Sequence, residues 1–157
     1  LGHDRSTIKT RTRKIDGGKI MKLVIFEGVH KSGKSSLLKQ FNILTNYKHT
    51  VVERAWVSQL AYAVKNKRLL EKEDTLNMMS KLKDDLIIVY CRPATDIIRQ
   101  RLLSIQRDYI DIDTELKIFD DIIHSMRNLG FNIITLNTNV TKGPLVGKIL
   151  SYIEELK

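Results

Sequence analysis

The stretch from Met21 to Ser36 reads MKLVIFEGVHKSGKSS. An apolar run, Leu23-Val24-Ile25-Phe26, leads into Gly28-Val29-His30-Lys31-Ser32-Gly33-Lys34-Ser35, which meets G-x-x-x-x-G-K-[ST] at every fixed position. The order has a physical reason. Two glycines let the backbone wrap closely round phosphate oxygens and aim its N–H groups inward. A helix opening near Gly33 adds its positive N-terminal end. In this pattern Lys34 reaches the β- and γ-phosphates and the Ser35 hydroxyl holds Mg²⁺. Gly28, Lys31, Ser32, Gly33, Lys34, Ser35 and Ser36 are therefore the expected nucleotide-phosphate ligands, with Lys31 adding positive field.

The 157 residues suit one domain with a real core, and 42% hydrophobic with 29% charged residues is an ordinary globular balance. No apolar run approaches the ~18 residues needed to span a membrane. The N-terminus is polar and basic, unlike a secretory signal, so a cytoplasmic protein is expected. Cys91 stands alone, which excludes an internal disulfide and suits a reducing compartment. Net charge is +9. Residues 1–20 hold six basic and two acidic side chains, contributing +4, so the remainder carries +5. A positive body fits an anionic substrate or a nucleic acid.

Residues 1–20 have little apolar content and read as a mobile basic tail or a leader ahead of a domain at 21–157. Residues 21–27 are the first strand. The helix from Gly33 to about Leu44 carries Leu37, Leu38, Phe41 and Leu44 at helical spacing. Residues 50–54 form a short β-branched strand. Helices are expected at 56–67 and 72–83, a buried strand at 86–91, and a helix opened by Pro93. Residues 107–113 read as a loop. A helix at 114–129 ends at Gly130, a strand covers 131–136, and a last helix runs over 144–156.

Strands alternating with helices predict an α/β domain with three layers. Its sheet is small and mostly parallel, of about four to five strands, with helices on both faces. Ligands then bind at the carboxyl ends of the strands. The phosphate loop, Glu53-Arg54 and Cys91-Arg92 all fall there.

These residues resemble the thymidylate kinases and, in brevity, the phage-type deoxynucleoside monophosphate kinases. Phe26-Glu27-Gly28-x4-Gly33-Lys34-Ser35-Ser36 is similar to their phosphate loop, FEG-x4-GK[ST][ST]. Glu53-Arg54, with Ser58, Ala61 and Tyr62 after it, resembles their D/E-R-x3-S-x2-A-Y stretch. The resemblance implies a P-loop NTPase fold and transfer of the ATP γ-phosphate, with Mg²⁺, to a deoxynucleoside monophosphate such as dTMP. It puts Glu53 near the metal with Ser35, and Arg54 on the acceptor phosphate, where a planar fork suits a dianion. Arg101 and Arg107 flank the expected lid and would stabilise the transferring group. Arg92, Ser58 and Tyr62 are acceptor-side candidates. Trp56 and Tyr62 are read either as base-stacking or as helix packing.

The chain departs from that family between Ser35 and Arg54, where thymidylate kinases carry a further strand and much of the base-recognition wall. The strand ending at Glu53 is then expected directly beside the first. An open acceptor side leaves room for a nucleoside or the 5′-hydroxyl end of a nucleic acid, and for a site completed by a second subunit of a homodimer. A nucleotide-binding regulatory or nucleic-acid-binding module is the alternative outside enzymes. The absence of N-K-x-D disfavours a GTPase. The absence of an acidic residue closing 86–91 disfavours a motor ATPase.

Overall fold

Six residues, Leu86–Cys91, form the fully buried centre of the molecule. Side chains alternate across a strand, so a strand this apolar at every position must be covered on both faces. The computed structural model, which describes residues 22–105 and 111–156, shows both covers. In chain order the elements are β1 (Leu23–Glu27), α1 (Lys34–Leu44), β2 (Thr50–Glu53), α2 (Trp56–Lys65) and α3 (Leu69–Leu82). A 3-10 turn (Lys83–Asp85) leads to β3 (Leu86–Cys91), α4 (Thr95–Ser104), α5 (Ile112–Asn128), β4 (Ile133–Leu136) and α6 (Lys142–Glu155).

The sheet has four strands in the order β2-β1-β3-β4, and every pairing is parallel. Phe26 lies opposite Glu53, Glu27 opposite Tyr90, and Cys91 opposite Leu136. Ile87, Val89 and Cys91 face one side, where Leu37 and Phe41 of α1 and Leu145, Val146 and Ile149 of α6 cover them. Ile88 and Tyr90 face the other, under α2, α4 and α5 with Met79 of α3. The expected three layers are present, and β2 does lie directly beside β1.

Several boundaries differ from expectation. The helix after Pro93 begins at Thr95, because Ala94 keeps an extended backbone as its N-cap. The third helix begins at Leu69 rather than Lys72. Its first residues, Leu69 and Leu70, are 68% and 79% exposed and so carry no apolar-stripe signal. Asp111 caps the fifth helix by accepting from the Thr114 N–H, which starts that helix at Ile112. On α1 the buried stripe ends at Phe41, and Leu44 in the last turn is 53% exposed.

Candidate phosphate-binding site

The loop after β1 turns on two glycines. Gly28 has φ +151° and Gly33 φ +89°. A Cβ on Gly28 would stand 2.7 Å from the Cys91 carbonyl oxygen and 2.6 Å from Ser32 Oγ. A Cβ on Gly33 would stand 3.0 Å from Thr138. Lys31 also takes a left-handed backbone, φ 64°. Inside the loop the Ser32 N–H donates to the Val29 carbonyl at 3.2 Å. Lys34, the first residue of α1, folds back and donates from Nζ to the same carbonyl at 2.9 Å.

The loop is braced from the far end of the chain. Thr138, fully buried in the turn between β4 and α6, donates its hydroxyl to the Ser32 carbonyl, and Lys142 Nζ donates to the Thr138 carbonyl. Arg101 of α4 donates from Nη1 to the Lys31 carbonyl at 2.9 Å and from Nη2 to Asn139 Oδ1 at 3.2 Å. In a trans peptide the C=O and the next N–H point opposite ways. Thr138, by holding the Ser32 carbonyl, thus fixes the direction of the Gly33 N–H. Thr138→Val keeps the shape and removes that hold. The Ser32 carbonyl loses one bond, worth about 1 kcal/mol. Nucleotide affinity measured by calorimetry should fall roughly fivefold, and unchanged affinity would remove Thr138 from the loop's support.

At the mouth of the loop the Ser35 hydroxyl donates to Glu53 Oε1, the last residue of β2. Arg54 follows with φ 53°, and its Nη1 donates to the Tyr62 hydroxyl at 3.3 Å. A cleft of about 440 Å³ joins these groups, lined by His30, Lys31, Gly33, Lys34, Ser35, Ser36, Glu53 and Arg54. Every lining residue is polar or glycine, as a phosphate chain requires. Burial, and then the Arg54 guanidinium, pull the Lys34 ammonium down to about 8 despite opposing pull from Glu53. A hydroxyl and a carboxylate already in contact are two hard oxygen donors, which fits Mg²⁺. Ser35 and Glu53 are the residues that would hold it, Glu53 directly or through water.

Other candidates lie elsewhere. Arg92 places Nε and Nη2 on the two oxygens of Asp120, both at 3.1 Å, and Nη1 on the Pro93 carbonyl at 2.7 Å. Tyr90 donates to the same Asp120 at 2.6 Å. This guanidinium ties β3 to α5, so the structure does not bring it into the cleft with Lys34. Ser58 is buried with its hydroxyl on Glu27, away from the cleft. Trp56 is half-buried and packs against the core. Arg99 pairs with Asp113 on the surface. Burial pushes the Cys91 thiol up to about 12, in keeping with an inert core position. Arg107 lies outside the described residues.

The sequence places Glu27 in the Phe26-Glu27-Gly28 motif but gives it no role. It is fully buried and sits at the junction between β1 and the loop. Among the described residues no cluster of three or more His, Cys, Asp or Glu is placed to hold a metal by itself. No described helix is long and apolar enough to cross a membrane.

No protein-family model matches the chain. It is 26% identical over 156 residues to the SPbeta prophage-derived uncharacterized protein YorR of Bacillus subtilis strain 168, covering 96% of this chain and 92% of YorR. Among solved structures it is similar to the crystal structure of Bacillus subtilis YorR in complex with phosphorylated GDP. The TM-score is 0.67 at 20% identity, over 85% of this chain and 96% of that one. The fold is thus a three-layer α/β architecture of the P-loop kind, shared with YorR along nearly the whole of the solved chain.

Proposed function

We propose that this chain is an ATP-dependent phosphotransferase that moves the γ-phosphoryl group to a nucleotide, with a deoxynucleoside monophosphate such as dTMP as acceptor. The observation that carries the reading is that Lys34, Ser35, Glu53 and Arg54 meet in one polar cleft. The phosphorylated GDP in complex with YorR in the solved structure supports a nucleotide as the ligand here.

The chemistry needs position and charge more than a protein nucleophile. The loop N–H groups and Lys34 hold the β- and γ-phosphates. Ser35 and Glu53 would hold Mg²⁺, which when bound would neutralise charge developing on the phosphate oxygens. Arg54 holds the acceptor phosphate in line. An acceptor oxygen forms the new bond to phosphorus as the β–γ bridging oxygen departs with ADP.

A hydroxyl acceptor, on a nucleoside or a nucleic-acid end, is the second reading. Only Thr45–His49 separate α1 from β2, so no acceptor wall stands between them. The test offers Mg-ATP or Mg-GTP with nucleosides, nucleoside monophosphates and 5′-hydroxyl oligonucleotides. Transfer to monophosphates supports the proposal. Product from oligonucleotides or nucleosides alone establishes the second reading. Nucleotide binding without transfer to any acceptor makes the protein a regulatory module.

Arg54→Ala should separate the two sides of the cleft. A charge-assisted bond is worth roughly 1.5–3 kcal/mol, so acceptor KM should rise at least about tenfold while ATP affinity changes less than about threefold. Equal losses on both substrates would make Arg54 a structural group.

A further inference from the structure

Glu27 closes β1 one residue before Gly28, and its carboxylate is fully buried. Oε2 accepts the N–H groups of Ala55 at 3.0 Å, Val57 at 2.8 Å and Ser58 at 3.2 Å. Oε1 accepts the Ser58 hydroxyl at 2.7 Å. These N–H groups open α2, whose N-cap Ala55 has no side chain able to cap it. A carboxylate from another strand therefore caps the helix and faces its positive end. Burial raises the Glu27 carboxyl, and the four hydrogen bonds oppose that rise.

Arg54 lies between the two anchors. Its N–H donates to the Phe26 carbonyl at 3.0 Å, and the next residue, Ala55, is held by Glu27. Its left-handed φ of 53° is a strained backbone for a non-glycine residue. Such a conformation persists only where its surroundings over-determine it. Phe26 and Glu27 supply that constraint, and they are the two residues leading into the phosphate loop.

We propose that Glu27 is a positioning residue for Arg54, holding the start of α2 so that the guanidinium stays in the cleft beside Lys34. The donor loop and the acceptor arginine are then one rigid piece of backbone. The functional part of this inference rests on Arg54 being the acceptor group. Without Glu27, three N–H groups of α2 lose their partner and the Arg54 backbone relaxes to an unstrained form. Glu27→Gln keeps an oxygen toward those N–H groups and turns its amide N–H₂ toward Ser58 Oγ.

The test is a double-mutant cycle on the full chain. Glu27→Ala should raise acceptor KM about tenfold and change ATP affinity less than about threefold. Combined with Arg54→Ala it should add less than about twofold, and Glu27→Gln should recover most of the loss. Equal effects of Glu27→Ala with and without Arg54, or equal losses on ATP and acceptor, would overturn the proposal. Should Glu27→Ala fail to fold, Ser58→Ala enters the same cycle. A second readout needs no turnover: the Arg54 Nε–Hε resonance in solution. It should shift and broaden in the alanine variant and return in the glutamine variant. An unchanged resonance would overturn the positioning role. Absence of transfer in the wild-type protein, with that resonance responding as expected, would sink only the phosphotransfer reading.

Discussion

Lys34→Ala should lower nucleotide affinity roughly a hundredfold and leave no measurable transfer. The residue is 5% exposed and its side chain is already turned into the loop, where Nζ meets the Val29 carbonyl. It is therefore pre-placed, and binding phosphate costs it little further ordering. Burial and Arg54 depress its ammonium to about 8, so in the nucleotide-free chain it is about half charged near that pH. Phosphate oxygens favour the charged form. Binding above pH 8 should consequently take up a proton, and affinity should weaken as pH rises through 8 and beyond. Calorimetry in buffers of different ionisation enthalpy reads this directly. Uptake approaching one proton is expected near pH 9 and almost none near pH 6.5, and none at either pH in Lys34→Ala.

The sign for folding is opposite. Between about 8 and the ordinary lysine value of 10.5 the unfolded chain binds more protons at this position than the folded chain. Its contribution to stability therefore rises with pH across that window. Lys34→Ala should remove that rise without lowering the melting temperature of the nucleotide-free protein. A large fall in melting temperature would mean that Lys34 is a fold determinant, and its loss of binding could not then be assigned to phosphate contact.

The phosphate loop was legible in the sequence because its residues are contiguous. Gly28 to Ser35 carry the loop, and the apolar runs of β1 and β3 carry the doubly covered strands. The braces were not legible because each joins positions far apart in the chain. Thr138 reaches Ser32 across 106 residues, and Glu27 reaches Ser58 across 31. Glu27 ends an apolar run and by local pattern is an ordinary strand-terminal acid. Only its distance from solvent and its four donors show otherwise. Arg92 has the opposite history. A basic residue at a strand end in a phosphate-binding fold is a reasonable ligand until Asp120, 28 residues on, occupies its fork. Local spacing predicts local chemistry, whereas competition between distant partners is decided by packing.

Gly28→Ala should be the most damaging conservative change in the loop. The added methyl would face Ser32 Oγ at 2.6 Å, the Cys91 carbonyl oxygen at 2.7 Å and Ser32 Cβ at 3.1 Å. The Ser32 hydroxyl can turn aside, but the Cys91 carbonyl and the Ser32 Cβ move only with the backbone. Ser32 is fully buried with its carbonyl held by Thr138. Cys91 is the last residue of β3 and pairs in register with Leu136. The φ of +151° adds a backbone penalty for any side chain. Overpacking of this kind costs about 1–3 kcal/mol, and the backbone strain adds roughly 1 kcal/mol. In a chain of this size that is a fall in melting temperature of about 5–12 °C. The loop, having no anchor as strong as the central strand, yields first, and nucleotide affinity should drop at least about tenfold. Adding Ser32→Gly removes two of the three contacts but not the Cys91 oxygen, so recovery should be partial. Full recovery would locate the whole penalty in Ser32. Full stability and binding in Gly28→Ala alone would show that the close passage of the loop against β3 does not shape the phosphate site.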